Sequence, residues 1–208
     1  MGQDKALLEL AGKPLIQHAV EKLRLLCTEV WILGDRQDLA AYAPCLPDKH
    51  PGCGPLGALE TALAYTPFEW NLFLPVDAPL VPLAWLQHLL QRASTSGALA
   101  VISQEEATAH PLCAAYHRNL HPGMQQALAM GERKVTVALD NVIEQIARKR
   151  RCPVESLLLS LSPAAEGNWL ESLSVEQRAG SHLWFLNLNT PEDLQMTKAH
   201  PELLKGPL

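Results

Sequence analysis

The sequence predicts an α/β domain with a mostly parallel sheet and helices on both faces. Three observations carry this. The run Asn71-Leu72-Phe73-Leu74-Pro75-Val76 is apolar almost throughout and stops at Asp77, as a strand buried on both faces does. Short apolar runs alternate with stretches of helical period along most of the chain. A glycine- and proline-rich segment, Pro47 to Gly57, leads into one of those helical stretches. In such sheets ligands bind beyond the carboxyl ends of the strands, which is where Asp77 falls.

Composition narrows the class. The 208 residues suit one domain, 1–208, with a substantial core. No run approaches the roughly 18 apolar residues that would span a bilayer, so no membrane is expected. Seventeen Lys+Arg against 22 Asp+Glu give a net charge of −5, and no nucleic-acid partner is expected. The five cysteines are an odd number without a C-x-x-C, which argues against a disulfide framework or zinc site and for a cytoplasmic protein.

The opening residues are polar and then helical in character. Ala11-Gly12-Lys13 is a turn, and Pro14 starts a helix whose apolar face is Ile16, Ala19, Val20, Leu23 and Leu26. Val30 to Leu33 is a strand ended by Gly34-Asp35, and Asp38 to Tyr42 a short helix. After the glycine-proline loop, Leu56, Leu59 and Leu63 share one helix face. Beyond Asp77 come a helix over 82–93, a strand over 98–102, a strand over 112–116, a helix from Asn119 to Met130, and a helix from Val135 to Ile146. Residues 152–180 are weakly patterned. The run 182–189 reads as a strand, followed by Thr190-Pro191-Glu192-Asp193, a helix start with its N-cap, first-position proline and acidic first turn.

Four separated pieces combine: Met1-Gly2-x-Asp4-Lys5 with Gly12-Lys13-Pro14-Leu15-Ile16, Pro51-Gly52-Cys53-Gly54-Pro55-Leu56-Gly57, Pro75-Val76-Asp77-Ala78-Pro79, and Asn187 to Leu194. In this order and spacing the chain resembles the molybdenum cofactor guanylyltransferases, members of the nucleotidyltransferase superfamily. The resemblance implies a Rossmann-like three-layer nucleotidyltransferase fold, with 152–180 as an atypical insertion. It also implies transfer of GMP from GTP to molybdenum-bound molybdopterin, with Mg²⁺ as cofactor and with molybdoenzymes or cofactor-biosynthesis proteins as partners.

By the same resemblance Lys5 neutralises charge on the triphosphate and Asp77 contacts GTP through Mg²⁺. Asp48 lies on the nucleoside side, where a carboxylate accepts hydrogen bonds from guanine N1–H and N2–H. Gly54, Pro55 and Leu56 shape the base pocket, Asn189 lies near the metal, and His110 and Arg133 face the pterin. The family's first strand and glycine-rich phosphate loop, which precede the Met-Gly pair, are missing here. A truncated chain, or an internal methionine of a longer reading frame, is therefore expected, with a gap between unpaired strand edges. Two other readings stand beside this one: a nucleotidyltransferase of the same fold that uses CTP or acts on a sugar or alcohol phosphate, and a non-catalytic nucleotide-binding remnant.

Overall fold

A computed structural model describes residues 4–165, 169 and 173–204. The chain starts with a 3-10 helix, Lys5–Leu7, and a small antiparallel hairpin of β1 (Glu9–Leu10) and β2 (Lys13–Pro14). Ala11 and Gly12 both have positive φ at its turn, a backbone that the glycine adopts freely. The helical character expected over the opening residues is thus limited to one 3-10 turn.

Helix α1 (Leu15–Arg24) follows, packed through Leu15, Ile16, Ala19 and Val20. Then come β3 (Ile32–Leu33), β4 (Cys45–Leu46), α2 (Gly54–Tyr65) and β5 (Trp70–Phe73). Where a helix over 38–42 was expected there is a 3-10 helix, Gln37–Leu39. Helix α3 (Leu83–Ser96) ends at Gly97 in the left-handed conformation. It leads to β6 (Ala100–Glu105), β7 (Thr108–His117), α4 (His121–Ala129) and α5 (Val135–Arg150), and then to β8 (Leu158–Leu161), α6 (Val175–Ala179) and α7 (Pro191–Lys198).

The main sheet has four strands in the order β5-β7-β6-β8. It is mixed. β7 runs antiparallel to both β5 and β6, and β8 runs parallel to β6. The α/β class holds, but the antiparallel pairings replace the mostly parallel arrangement read from the sequence. The reason is local: β6 and β7 are joined by a tight turn at Glu106, and only an antiparallel pair closes so short a connection.

Both faces of this sheet are covered. Leu59, Leu63, Tyr116, Leu139 and Ile143 belong to one core cluster, and Val101, Ala115, Trp85, Leu86 and Trp184 to another.

Two further readings are corrected. Residues 182–189 do not form a strand: Ser181–Leu183 is a 3-10 helix and the chain continues irregularly to Asn189. Their apolar side chains are buried as expected, but Trp184 and Phe185 pack against Trp85 rather than pairing in the sheet. The place beside β6 is held instead by β8, from the weakly patterned stretch 152–180.

β3 and β4 pair in parallel with each other but are not hydrogen-bonded to the four-stranded sheet. Between the two lies an open cavity of about 590 Å³. Every residue from Cys27 to Leu33 and from Trp70 to Val76 borders it. A strand that presented a face would offer alternate residues, so consecutive lining residues mean that strand edges flank the cavity. Helices α1 and α2 close it through Ile16, Val20 and Leu23 and through Ala58, Leu59 and Ala62.

Candidate active site

Lys5, Asp77 and Asn189 meet although 72 and 184 residues separate the first from the other two. Each is placed by simple local chemistry. Asp4 caps the 3-10 helix that carries Lys5, its Oδ1 accepting the Ala6 N–H at 3.1 Å. Arg36, just beyond β3, donates to Asp4 and, at 2.7 Å, to Asp38, so that the cap is tied to the end of that strand. Asp77 lies in the turn past the carboxyl end of β5, where the backbone has left the sheet. Its own carbonyl accepts the Leu188 N–H at 2.8 Å, which ties this turn to the segment that carries Asn189.

Asn189 precedes α7. Thr190 and Asp193 form a reciprocal capping box there, and Asp193 Oδ2 also accepts the Asn189 N–H at 3.0 Å. Those backbone donors, with Thr190 first, hold the Asp193 carboxyl below the usual carboxylate range.

The Lys5 ammonium lies 3.5 Å from Asp77 Oδ2 and donates to Asn189 Oδ1. Lys5 and Asp77 are each partly exposed, so a ligand has access to both. Two oxygens thus converge on one cation at the carboxyl end of the sheet, the position at which α/β sheets bind their ligands. Met1 and Gly2, the first residues of the motif, lie outside the described residues.

The turn after Asp77 is also secured from behind. Lys22 on α1 donates to the carbonyls of Pro79 and, at 2.7 Å, of Val81. Desolvation lowers its pKa to about 8. Sequence reasoning missed this residue. Its only signal is a lysine beside the apolar face of α1.

Asp48 lies on a second side, in the loop between β4 and α2. Burial raises its carboxyl pKa, and Oδ1 is shielded from solvent without a hydrogen-bond partner. A shielded acceptor of this kind suits N–H donors from a ligand. Gly54 and Pro55 are exposed in the first turn of α2. Leu56 is different: its side chain is fully buried in the core with Leu59 and Leu63, so that only its backbone remains for a ligand. His110 stacks on Phe185 at 4.4 Å, and Arg133 donates to the carbonyls of Leu128 and Glu132. Neither is bonded to the Lys5 cluster.

Among the described residues no group of three or more His, Cys, Asp or Glu side chains is arranged to hold a metal ion, and no helix is long and apolar enough to cross a membrane.

Residues 1–166 match the family described as the MobA-like NTP transferase domain. A molybdenum cofactor guanylyltransferase of Vibrio cholerae is 28% identical over 204 residues, 96% of this chain and 86% of that protein. One of Serratia proteamaculans is 34% identical over 144 residues, 67% of this chain and 72% of that protein. Among solved structures, the molybdopterin-guanine dinucleotide biosynthesis protein A of Archaeoglobus fulgidus superposes with a TM-score of 0.73 at 22% identity, covering 97% of this chain and 92% of that one. A cytidylyltransferase of Thermus thermophilus acting on 2-C-methyl-D-erythritol 4-phosphate gives 0.62 at 16% identity, covering 95% and 94%. With its family match over most of the chain, this protein belongs to the MobA-like NTP transferase family and is a nucleotidyltransferase.

Proposed function

We propose that this chain transfers GMP from GTP to the phosphate of molybdenum-bound molybdopterin, forming molybdopterin guanine dinucleotide and releasing pyrophosphate. The carrying observation is the convergence of Lys5, Asp77 and Asn189, from three distant segments, on one point at the end of β5. The names of the Vibrio and Serratia relatives support the choice of GTP and of the pterin acceptor.

The reaction is an in-line attack of a phosphate oxygen on the α-phosphorus of the nucleotide. Positioning the reactants and offsetting negative charge is most of the catalysis. Lys5 supplies a point charge for the triphosphate. Asp77 and Asn189 supply hard oxygen donors, which suit Mg²⁺, and their oxygens already converge on the Lys5 ammonium. When bound, Mg²⁺ offsets phosphate charge and helps pyrophosphate to leave. Lys22 holds the Asp77 turn in place through two carbonyls. Asp48 accepts the N1–H and N2–H of guanine, and Gly54, Pro55 and the Leu56 backbone border the base. The protein works in the cytoplasm, with molybdoenzymes or cofactor-biosynthesis proteins as its partners.

The test is pyrophosphate release from GTP and from CTP in the presence of Mg²⁺ and the molybdenum-loaded pterin. GTP turnover is expected, with Asp77→Ala losing about 100-fold or more while remaining folded. Turnover of CTP without GTP would replace this reading with that of a cytidylyltransferase. Retained activity in Asp77→Ala would remove Asp77 from the chemistry.

A further inference from the structure

One charged side chain lies on the apolar helix α2 and takes no part in the chemistry above. Glu60 is fully buried, in a helix whose other buried residues are Leu56, Gly57, Leu59, Thr61 and Leu63. A buried carboxylate is costly unless both oxygens have donors. His121, the first residue of α4, supplies one: its Nε2 is 2.9 Å from Oε1. The other oxygen, Oε2, is shielded from solvent and has no hydrogen bond. Facing it is His50, whose Nε2 lies 3.5 Å away, within ion-pair distance but without a hydrogen bond.

His50 belongs to the loop that carries Asp48, and the same face of α2 holds that loop twice more. Thr61 Oγ1 accepts the Lys49 N–H at 3.0 Å while donating to Gly57 O at 2.8 Å. At Gly57 an added Cβ would come within 2.8 Å of Cys53 and 3.3 Å of the His50 carbonyl, so the loop rests directly on the helix. Two of these anchors, at Thr61 and Gly57, are made. The third, from His50 to Glu60, is a looser contact at 3.5 Å.

We infer that Glu60 is a positioning residue for the nucleoside side of the site: its open oxygen Oε2 receives a hydrogen bond from His50 and thereby fixes the loop that presents Asp48. The His121 contact orients the Glu60 carboxylate and ties α4 to α2. His50, which is nearly half exposed, is the movable part. Nucleotide binding and the His50–Glu60 hydrogen bond each favour the same loop position, so each strengthens the other. The inference rests on the proposed function for the identity of the ligand but not for the behaviour of the loop.

The test uses the full chain with His50→Ala and His50→Gln. Alanine removes the donor, and glutamine keeps an N–H donor of similar reach. Amide hydrogen exchange in the nucleotide-free protein reads the loop directly. Exchange at Lys49 and Cys53 is expected to quicken several-fold in His50→Ala and to return close to wild type in His50→Gln. Calorimetry with GTP and Mg²⁺ is expected to show affinity about tenfold weaker in His50→Ala, recovered to within about threefold in His50→Gln. The melting temperature without nucleotide should change little in either variant, because His50 is a surface side chain. Unchanged exchange in His50→Ala would overturn the inference, as would a glutamine variant no better than the alanine one. Failure of the wild type to bind GTP would instead overturn the proposed function, leaving the exchange result to judge the loop.

Discussion

The two parts of the β-structure are built very differently. In the four-stranded sheet every strand has a partner. Ala100, Val101, Ala114, Ala115 and Tyr116 are buried essentially completely, with helices packed on both faces. The β3–β4 pair, across the cavity, has no hydrogen bond to that sheet, and β5, the strand facing it, is half-buried along its whole length. Trp31 and Tyr65, both exposed, stand at the cavity wall. Yet the proposed site joins these two parts. Arg36, from beyond β3, holds Asp4 and so the helix of Lys5, while Asp77 follows β5. Rigidity on one side and looseness on the other therefore meet at the proposed site. The main stability of the protein should reside in the paired sheet, and the separation between Lys5 and Asp77 should depend on the weaker part.

Deleting one large side chain on each side would break this contrast most sharply. Trp85 is fully buried, packs against Trp184 and Phe185, and donates to Ser103 Oγ at 2.8 Å, which in turn donates to the Cys113 carbonyl. Trp85→Ala leaves both a cavity and a disturbed buried hydrogen-bond chain, and should cost about 3–5 kcal/mol in urea unfolding. Trp31→Ala, at the cavity wall, should cost less than about 1 kcal/mol. Equal losses would mean that the two parts are packed alike.

Adding volume should give effects of opposite sign. Ala115 lies on β7 between Leu72 of β5 and Val101 of β6 with no exposed surface, so Ala115→Leu should overpack the sheet and cost about 1–3 kcal/mol. Ala62 on α2 faces the cavity and is half-buried. Ala62→Leu has room to extend into an apolar space and should be neutral or stabilising by up to about 1 kcal/mol. Thermal melts of the two variants side by side check this, and destabilisation by Ala62→Leu would show that the cavity is already filled in solution.

The same division decided what could be read from sequence. Features fixed by neighbours in the chain were legible. The Thr190–Asp193 capping box, Pro14 ahead of α1, and the face of α2 carried by Leu56, Leu59 and Leu63 all depend on local spacing. Features fixed by distant partners were not. Leu158–Leu161 is a short leucine-rich run that suits a helix or a strand equally, and its partner β6 lies more than 50 residues away. The run 182–189 has strand-like composition, but Trp184 fits against Trp85, and burial as an irregular segment satisfies the same hydrophobicity. Lys5, Asp77 and Asn189, which the fold brings together, were singled out through the ordered resemblance of their segments, since no spacing rule links residues so far apart. Glu60 was overlooked although it had a signal, a single acid in an otherwise apolar helix.

A smaller effect concerns Asp48, on the loop that joins β4 to α2 and so bridges the loose strand pair to the packed helix. Burial raises its carboxyl above the ordinary value of 3.8. The folded state therefore holds the Asp48 proton to higher pH than the unfolded chain does. Across that interval the folded state binds more protons, so stability falls as pH rises, and above the raised value a constant cost remains. Asp48→Asn removes the charge. The variant should be slightly more stable than wild type at pH 7, and this advantage should shrink to nothing as pH falls below about 3.8. Affinity for GTP should move the other way, because an asparagine amide offers one acceptor oxygen where the carboxylate offers two. Unfolding curves at several pH values, with nucleotide binding measured on the same protein, test both halves. A loss of both stability and affinity at pH 7 would mean that Asp48 has a structural partner and is not held open for a ligand.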